Sequence, residues 1–263
     1  MVLGPSDQAG PGARPMFRGG PLPSVGSMNE TKNAVITGAS RGLGLALARG
    51  LAGAGWALVI DARDPGALDE AVASLPGSGR VIQIAGDVTD PAHRAALRDA
   101  AAELGGPDLL VNNAGTLGAS PLPALADYPI TELRDAFEVN VLAPVALTQL
   151  LLPALRRRGG AVLNVTSDAA VEPYAGWGGY GAAKAALEQA SHVLAAEESV
   201  VRVWWVDPGD IRTRMHADAF PGEDISDRPL PETVVPAFLR LIAERLPDGR
   251  YRAAELMPSG VAS

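Results

Sequence analysis

Tyr180 and Lys184 stand four positions apart, which puts both on one face of a helix, and Ser167 precedes the tyrosine by thirteen positions. A phenol, an ammonium and an aliphatic hydroxyl gathered at one point can move a proton onto or off an oxygen atom. Tyrosine ordinarily titrates near pH 10 or so and is a poor base at neutral pH. A neighbouring Lys184 ammonium would favour the tyrosinate and lower that barrier. Ser167 would donate a hydrogen bond to an oxygen whose negative charge grows during reaction. Together the three side chains suit the interconversion of a carbonyl and an alcohol. A buried Tyr/Lys pair also serves plain packing, so the chemical reading depends on what surrounds it.

The elements that must position these residues follow from hydrophobic patterning. Short β-rich runs fall at 33–37, 57–60, 81–85, 109–112, 161–166 and 201–206, with a final short strand at 250–253. Between them, amphipathic segments at 42–54, 65–75, 92–104, 131–158, 176–197 and 232–244 read as helices. Several strands are apolar at successive positions, as expected where helices cover both sheet faces. The alternation predicts an α/β, Rossmann-type doubly wound parallel sheet of about seven strands with right-handed crossovers. Residues directly after strands then matter most, because ligands of such sheets lie beyond the carboxyl ends of the strands.

The first such junction reads Thr37-Gly38-Ala39-Ser40-Arg41-Gly42-Leu43-Gly44, between an apolar strand and an Ala/Leu-rich helix. Glycines there permit a tight turn and bring a pyrophosphate close to the backbone and the helix N-terminus. Asp87-Val88 follows the third strand, where the carboxylate could bond an adenine amino group and the valine pack on the ring. Asn112-Asn113-Ala114-Gly115 follows the fourth, with small residues that admit a cofactor near the backbone. Asn140, inside the long helical segment, could kink it and anchor a water near Lys184, opening a proton path to solvent.

Composition narrows the remaining classes. A formal charge of −8 without a dense Lys/Arg stripe argues against a nucleic-acid surface. There is no cysteine, and the three histidines, His93, His192 and His216, lack ligand-like spacing, so no metal is expected. No apolar run long enough to suggest a membrane span is evident, and a cytoplasmic location is expected. Residues 1–29 are rich in Gly and Pro without an apolar signal core and read as a flexible extension. One Rossmann-type catalytic domain is expected over 30–263.

The order and spacing of these motifs, with Tyr180-Gly181-Ala182-Ala183-Lys184 and Pro208-Gly209-Asp210-Ile211-Arg212-Thr213, resemble the short-chain dehydrogenase/reductase family over about residues 31–256. The resemblance implies a catalytic tetrad of Asn140, Ser167, Tyr180 and Lys184. It implies a nicotinamide-side turn at Pro208 and Gly209, followed by Ile211, and a hydroxyl at Thr213 that meets the carboxamide or phosphates. It also implies a homo-oligomer, dimer or tetramer, assembled through the two long helices. The family's NAD-selecting acid would fall at Ala62, with Arg63 next; together with Arg41 this favours NADP(H), whose 2′-phosphate needs cationic partners. NAD(H) remains open through Asp61, one position earlier, whose carboxylate could accept from ribose hydroxyls. Trp204 and Trp205 depart from the family pattern and predict altered packing behind the site or at a subunit contact.

Asp168, Trp177, Met215, His216 and Phe220 are the candidate substrate residues, the last three on a segment that could act as a lid. The expected activity is NADPH-dependent reduction of a ketone or aldehyde. The alternatives are an NAD-dependent secondary-alcohol dehydrogenase and, from a different class, a non-catalytic nucleotide-binding structural or regulatory protein.

Overall fold

The computed structural model describes residues 31–77 and 79–257; the 1–29 extension lies outside the described residues. Strand β1 (Asn33–Ile36) leads into helix α1 (Gly42–Gly53), β2 (Ala57–Ala62) into α2 (Pro65–Ala73), and β3 (Val81–Ala85) into α3 (Pro91–Glu103). Strand β4 (Leu109–Asn112) precedes a long helical arm formed by α4 (Ile130–Phe137) and α5 (Ala143–Arg158). The chain continues through β5 (Ala161–Val165), α6 (Gly178–Glu197), β6 (Arg202–Asp207), α7 (Arg214–Ala219), α8 (Val235–Glu244), β7 (Gly249–Arg252) and α9 (Ala253–Leu256). All seven strands are parallel, in the order β3-β2-β1-β4-β5-β6-β7. The order reverses between β1 and β4, so the loops leaving those two strands turn to opposite faces and open a crevice.

Alternation along the strands sorts side chains between two cores. Val35, Val59, Leu110 and Val162 meet Leu97 of α3 and Leu147, Leu151 and Leu155 of α5 on one face. Ile36, Leu58, Ile60 and Val111 meet Leu47 and Leu51 of α1 and Phe238 and Leu241 of α8 on the other. The crossover helices start where the sequence supplies caps. Asp64 accepts from Gly66 N and Ala67 N, Asp90 accepts from Ala92 N, and each is followed by proline at the first helical position.

The arm read as one helix over 131–158 is interrupted by a π-turn at Glu138–Leu142, centred on Asn140. Helical structure nevertheless runs from Ile130 to Arg158, and this stretch is long and apolar enough in composition to cross a membrane, contrary to the expectation of no such run. Its apolar residues have another use here: Ala143, Pro144, Leu147, Leu151 and Leu155 are buried on the α5 side of the protein. The segment expected as a loop after the nicotinamide turn contains α7, capped by Thr213 Oγ1 accepting from His216 N.

Trp204 and Trp205 point to opposite faces of β6. Trp204 lies in the α1/α8 core and donates from Nε1 to Leu246 O at 3.0 Å. Trp205 is equally enclosed, with its ring 4.4 Å from that of His192 on α6. The two indoles thus fill both sides of the sheet at β6.

Candidate active site

A cleft of about 1520 Å³ opens along the carboxyl ends of the strands. That exceeds the roughly 300–1,000 Å³ of a site for one drug-sized ligand and leaves room for a dinucleotide with a small second molecule. Gly38, Ser40, Arg41, Gly42, Leu43, Arg63, Asp87, Val88, Asn113, Ala114 and Gly115 line one part of it. Ser167, Asp168, Trp177, Tyr180, Lys184, Pro208, Gly209, Ile211, Thr213, Met215, His216 and Phe220 line the rest. Of the residues singled out in the sequence, Gly44 and Asn140 lie just behind the cleft wall.

The glycine-rich turn fits a dinucleotide phosphate. Helix α1 has neither a side-chain cap nor an acidic residue in its first turn, so its leading N–H groups carry no side-chain anion. A Cβ on Gly44 would collide with Gly38 O and Asn113 Nδ2, so only glycine lets α1 sit this close to the turn and to the loop after β4. Thr37 Oγ1 accepts from both Asn113 N and Ala114 N at 3.0 Å, and Asn113 Nδ2 donates to Thr37 O at 2.8 Å and Gly38 O at 3.1 Å. These bonds fasten together the two loops that flank the crevice.

At the end of β2, Asp61 faces inward and is 1% exposed. Its Oδ1 accepts from Gly38 N at 2.7 Å and its Oδ2 lies 2.9 Å from His93 Nε2. The ribose-binding role considered for Asp61 therefore has both carboxylate oxygens already engaged, one of them in holding the turn. Ala62 offers no acid, whereas Arg41 and Arg63 are exposed on the cleft with no ion-pair partner among the described residues. Asp87 accepts from Thr89 N at 2.9 Å and Thr89 Oγ1 at 2.8 Å. Burial alone would raise its pKa, but those bonds and the Arg63 and His93 charges outweigh it and hold the carboxyl below its ordinary value.

Tyr180 and Lys184 come from the first turns of α6, whose close approach to the Ser167 loop depends on Gly181, where a Cβ would collide with Ala169 O. Lys184 Nζ donates to Val165 O at 2.9 Å and sits 5.6 Å from the Tyr180 ring centroid. Burial lowers its pKa to about 8. The Tyr180 hydroxyl moves the other way from the sequence-based expectation. Burial is the main cause of a strong upward shift, the Ser167 hydroxyl beside it opposes that shift, and the Asp207 and Asp168 carboxylates reinforce it. Lys184 is aimed at a backbone carbonyl and does not offset the loss of solvent.

Asn140 is fully buried in the π-turn. Its Nδ2 donates to Thr116 O at 2.8 Å and Ala136 O at 2.9 Å, and Oδ1 accepts from Thr116 N at 3.2 Å. The interruption of the helical run expected at this residue is present as the π-turn, and its two amide protons are committed to the backbone. Only Oδ1 retains acceptor capacity for the water-holding role expected of it.

A group that the sequence reading did not identify lies behind the serine. Arg250 Nε donates to Glu188 Oε1 at 2.9 Å, and its NH2 group donates to Ser167 O at 3.2 Å and Asp207 Oδ2 at 3.4 Å. Glu188 also accepts from Thr166 Oγ1 at 2.8 Å, and Asp207 from Gly209 N at 2.9 Å. One guanidinium from β7 thus joins the serine's own carbonyl, helix α6 and the turn carrying Pro208 and Gly209. Asp207 and Glu188 were legible only as acids beside or one turn beyond motif residues; nothing in the sequence pointed to Arg250, which reaches them through sheet order.

A phosphate-binding turn at a topological switch point, with a Tyr/Lys/Ser group at the other end of the same cleft, defines a nicotinamide-dependent oxidoreductase of the Rossmann type. The family model for short chain dehydrogenase matches residues 32–224, and the chain belongs to that family. It is 37% identical to sepiapterin reductase of Rattus norvegicus over 69% of this chain and 74% of that one. It is 36% identical to the rhamnolipids biosynthesis 3-oxoacyl-[acyl-carrier-protein] reductase of Pseudomonas aeruginosa over 69% and 73% of the two chains. Among solved structures it resembles an alcohol dehydrogenase from Thermococcus sibiricus complexed with 5-hydroxy-NADP. That match has a TM-score of 0.77 and 28% identity over 85% of this chain and 96% of the other.

Replacing Arg250 with Met would leave Glu188 and Asp207 as neighbouring buried carboxylates without their shared cation. The expected loss is about 3 kcal/mol of stability, as for other buried ion pairs broken on one side. Urea denaturation of the two proteins at neutral pH measures it.

Proposed function

We propose that the protein reduces a ketone or aldehyde to an alcohol at the expense of NADPH, with Tyr180 as the proton donor. The observation that carries this reading is the convergence of Ser167, Tyr180 and Lys184 at the cleft end beside Pro208 and Gly209. NADPH, when bound, supplies hydride to the carbonyl carbon. Tyr180 delivers its hydroxyl proton to the developing alkoxide, and Ser167 hydrogen-bonds the same oxygen as its charge grows. The upward shift of Tyr180 suits this direction, because it keeps the proton on the phenol until the alkoxide, a much stronger base than the ketone, is forming. Lys184, protonated below about pH 8, is the enclosed cation 5.6 Å from the phenol ring, and its attraction to the tyrosinate left behind meets part of the cost that burial imposes.

The cofactor preference is supported by Arg41 and Arg63, exposed where a 2′-phosphate would lie, and by the inward turn of Asp61. The NADP-type ligand of the Thermococcus sibiricus relative agrees with it. Leu142 at the end of the π-turn and Val193 on α6, 52% and 46% exposed, support the homo-oligomeric reading.

Tyr180→Phe removes only the reactive hydroxyl and should lower kcat for carbonyl reduction by about 10²–10⁴-fold while NADPH still binds. Retention of wild-type turnover by that variant, followed by nicotinamide absorbance over a panel of ketones and aldehydes, would overturn the assignment. Replacing Arg41 and Arg63 together with Ala should weaken NADPH by about ten- to hundredfold, the loss typical of charge-assisted bonds, and leave NADH nearly unchanged. Fluorescence titration of both nucleotides separates these outcomes. As pH rises through about 8, Lys184 loses its proton and kcat/KM for reduction should fall; Lys184→Arg, which does not titrate in this range, should lack that inflection.

A further inference from the structure

The catalytic serine of the proposed reaction has a competing partner. Ser167 Oγ accepts from Ala169 N at 3.2 Å and donates to Asp168 Oδ1 at 3.0 Å. A hydroxyl carries one proton. While that proton is on the carboxylate it cannot also serve the Tyr180 oxygen, which the same hydroxyl reaches, or a carbonyl oxygen in the cleft, and a carboxylate is a stronger acceptor than either neutral oxygen. The other Asp168 oxygen accepts from the Tyr174 hydroxyl at 3.0 Å. That bond raises the pKa of the exposed Tyr174, so the phenol stays a donor and fixes the carboxylate at the cleft wall. No Lys or Arg is paired with Asp168 among the described residues. The two arginines on this side are engaged elsewhere: Arg212 Nε donates to Arg228 O at 3.1 Å and Arg214 lies 3.8 Å from Asp218.

Asp168 also places a negative charge next to the oxygen that becomes an oxyanion. Its carboxylate adjoins Ser167 and lies near enough to Tyr180 to act on that phenol's charge, as does Asp207. Both effects of Asp168, capture of the serine proton and repulsion of the developing oxyanion, are relieved if its charge is met by a cation. The nearest place such a cation could come from is the substrate. A donor within hydrogen-bond reach of Asp168, on a molecule whose carbonyl oxygen lies between Ser167 and Tyr180, must sit only a few bonds from that carbonyl. The remainder of the molecule would face an apolar wall. Trp177 lies 5.8 Å from both the Tyr180 and Phe220 rings, and Met215 and Leu117 pack in the same cluster.

Resting on the reductase reading, we propose that Asp168 is the specificity-determining residue and that it selects ketones bearing a protonated amine α or β to the carbonyl, on an apolar or aromatic body. Pairing of the ammonium with Asp168 frees the Ser167 proton for the carbonyl oxygen and removes the local negative charge at the moment hydride arrives. The substrate thereby completes the site. Hydride goes to the carbonyl carbon from NADPH, the Tyr180 proton goes to its oxygen, and the ammonium is unchanged, so an amino alcohol and NADP⁺ are the products. Substrates with an anionic group a few bonds from the carbonyl meet a like charge at this point.

The test uses the full chain with NADPH and two aryl ketones of equal size. One bears a dimethylammonium group two carbons from the carbonyl; the other has a CH group in place of N–H⁺. The wild-type protein should reduce the cationic ketone with a kcat/KM about ten- to hundredfold above the neutral one, the range of one charge-assisted hydrogen bond. Asp168→Asn, checked for folding by NADPH titration, should lose most of that preference by two opposed changes, a fall for the cationic ketone and a rise for the neutral one. Asp168→Glu, which keeps the charge, should retain part of the preference. Equal efficiencies in the wild-type protein overturn the proposal while leaving the reductase reading in place, and so does a preference that survives in Asp168→Asn. Absence of turnover with both ketones, in a protein that reduces other members of the ketone and aldehyde panel, overturns the proposal alone; absence across the whole panel overturns both.

Discussion

The junction between β1 and β4 is the constraint on which the rest of the site depends. Two parallel strands whose following loops turn to opposite faces leave a gap at their carboxyl ends, and that gap must be held to a fixed width if it is to grip a dinucleotide. Thr37 fixes it: one hydroxyl accepts from two successive N–H groups of the β4 loop, while Asn113 returns bonds to two carbonyls of the β1 loop. Asp61 pins Gly38 from the β2 side and is itself backed by His93 of α3. Three neighbouring strands thus converge on one turn through short polar side chains. The glycines then work within this frame, admitting α1 where any side chain would collide.

The opposite end of the cleft is governed by the removal of charge from water. Lys184 and Tyr180 are both enclosed, and enclosure disfavours the charged form of each: it lowers the lysine to about 8 and raises the tyrosine. Both forms wanted for proton donation, neutral phenol and ammonium, remain populated together below about pH 8. Behind them, Arg250 gathers two carboxylates and the Ser167 carbonyl, which ties the serine and the Gly209 turn to α6. The Ser167 carbonyl and the Gly209 turn are therefore tied to a largely enclosed charge cluster rather than to the exposed loops around them.

Much of this was legible in the sequence, for a definable reason. The strands and crossover helices follow from apolar periodicity and from Asp-Pro starts at Asp64 and Asp90, all local signals. The Tyr180/Lys184 spacing and the glycine turn are equally local, and every proposed site residue except Gly44 and Asn140 lines the cleft. What stayed hidden depends on partners distant in the chain. The π-turn at Asn140 needs Thr116 to receive its amide. Asp61 could be read as a ribose acid because its alternative, His93, lies thirty-two positions away. The expected downward shift of Tyr180 counted the Lys184 ammonium together with the charge of a bound oxidised nicotinamide, whereas in the protein alone burial sets the direction. The α7 helix escaped notice because six residues are too few to show a period.

The same distinction separates what the family settles from what it leaves open. The residues proposed to bind phosphate and to move the proton stand on elements tied directly to the sheet: a turn after β1, a loop after β4, the first turns of α6. Residues that meet the rest of the substrate come from the segment following Ser167 and from α7, whose positions depend on contacts such as Asp168 with Tyr174 and Trp177 with Phe220. Those contacts sit outside the sheet, so their chemistry can change without disturbing the phosphate turn or the Tyr/Lys pair. In this chain they place a carboxylate against the reacting oxygen's site and leave the free arginines, Arg41 and Arg63, at the far end. The cleft thus presents Arg41 and Arg63 at one end and, at the other, the Asp168 carboxylate in front of the enclosed Lys184 ammonium. Charge at the first end is set by exposed side chains and at the second by groups that the sheet and α6 withdraw from water.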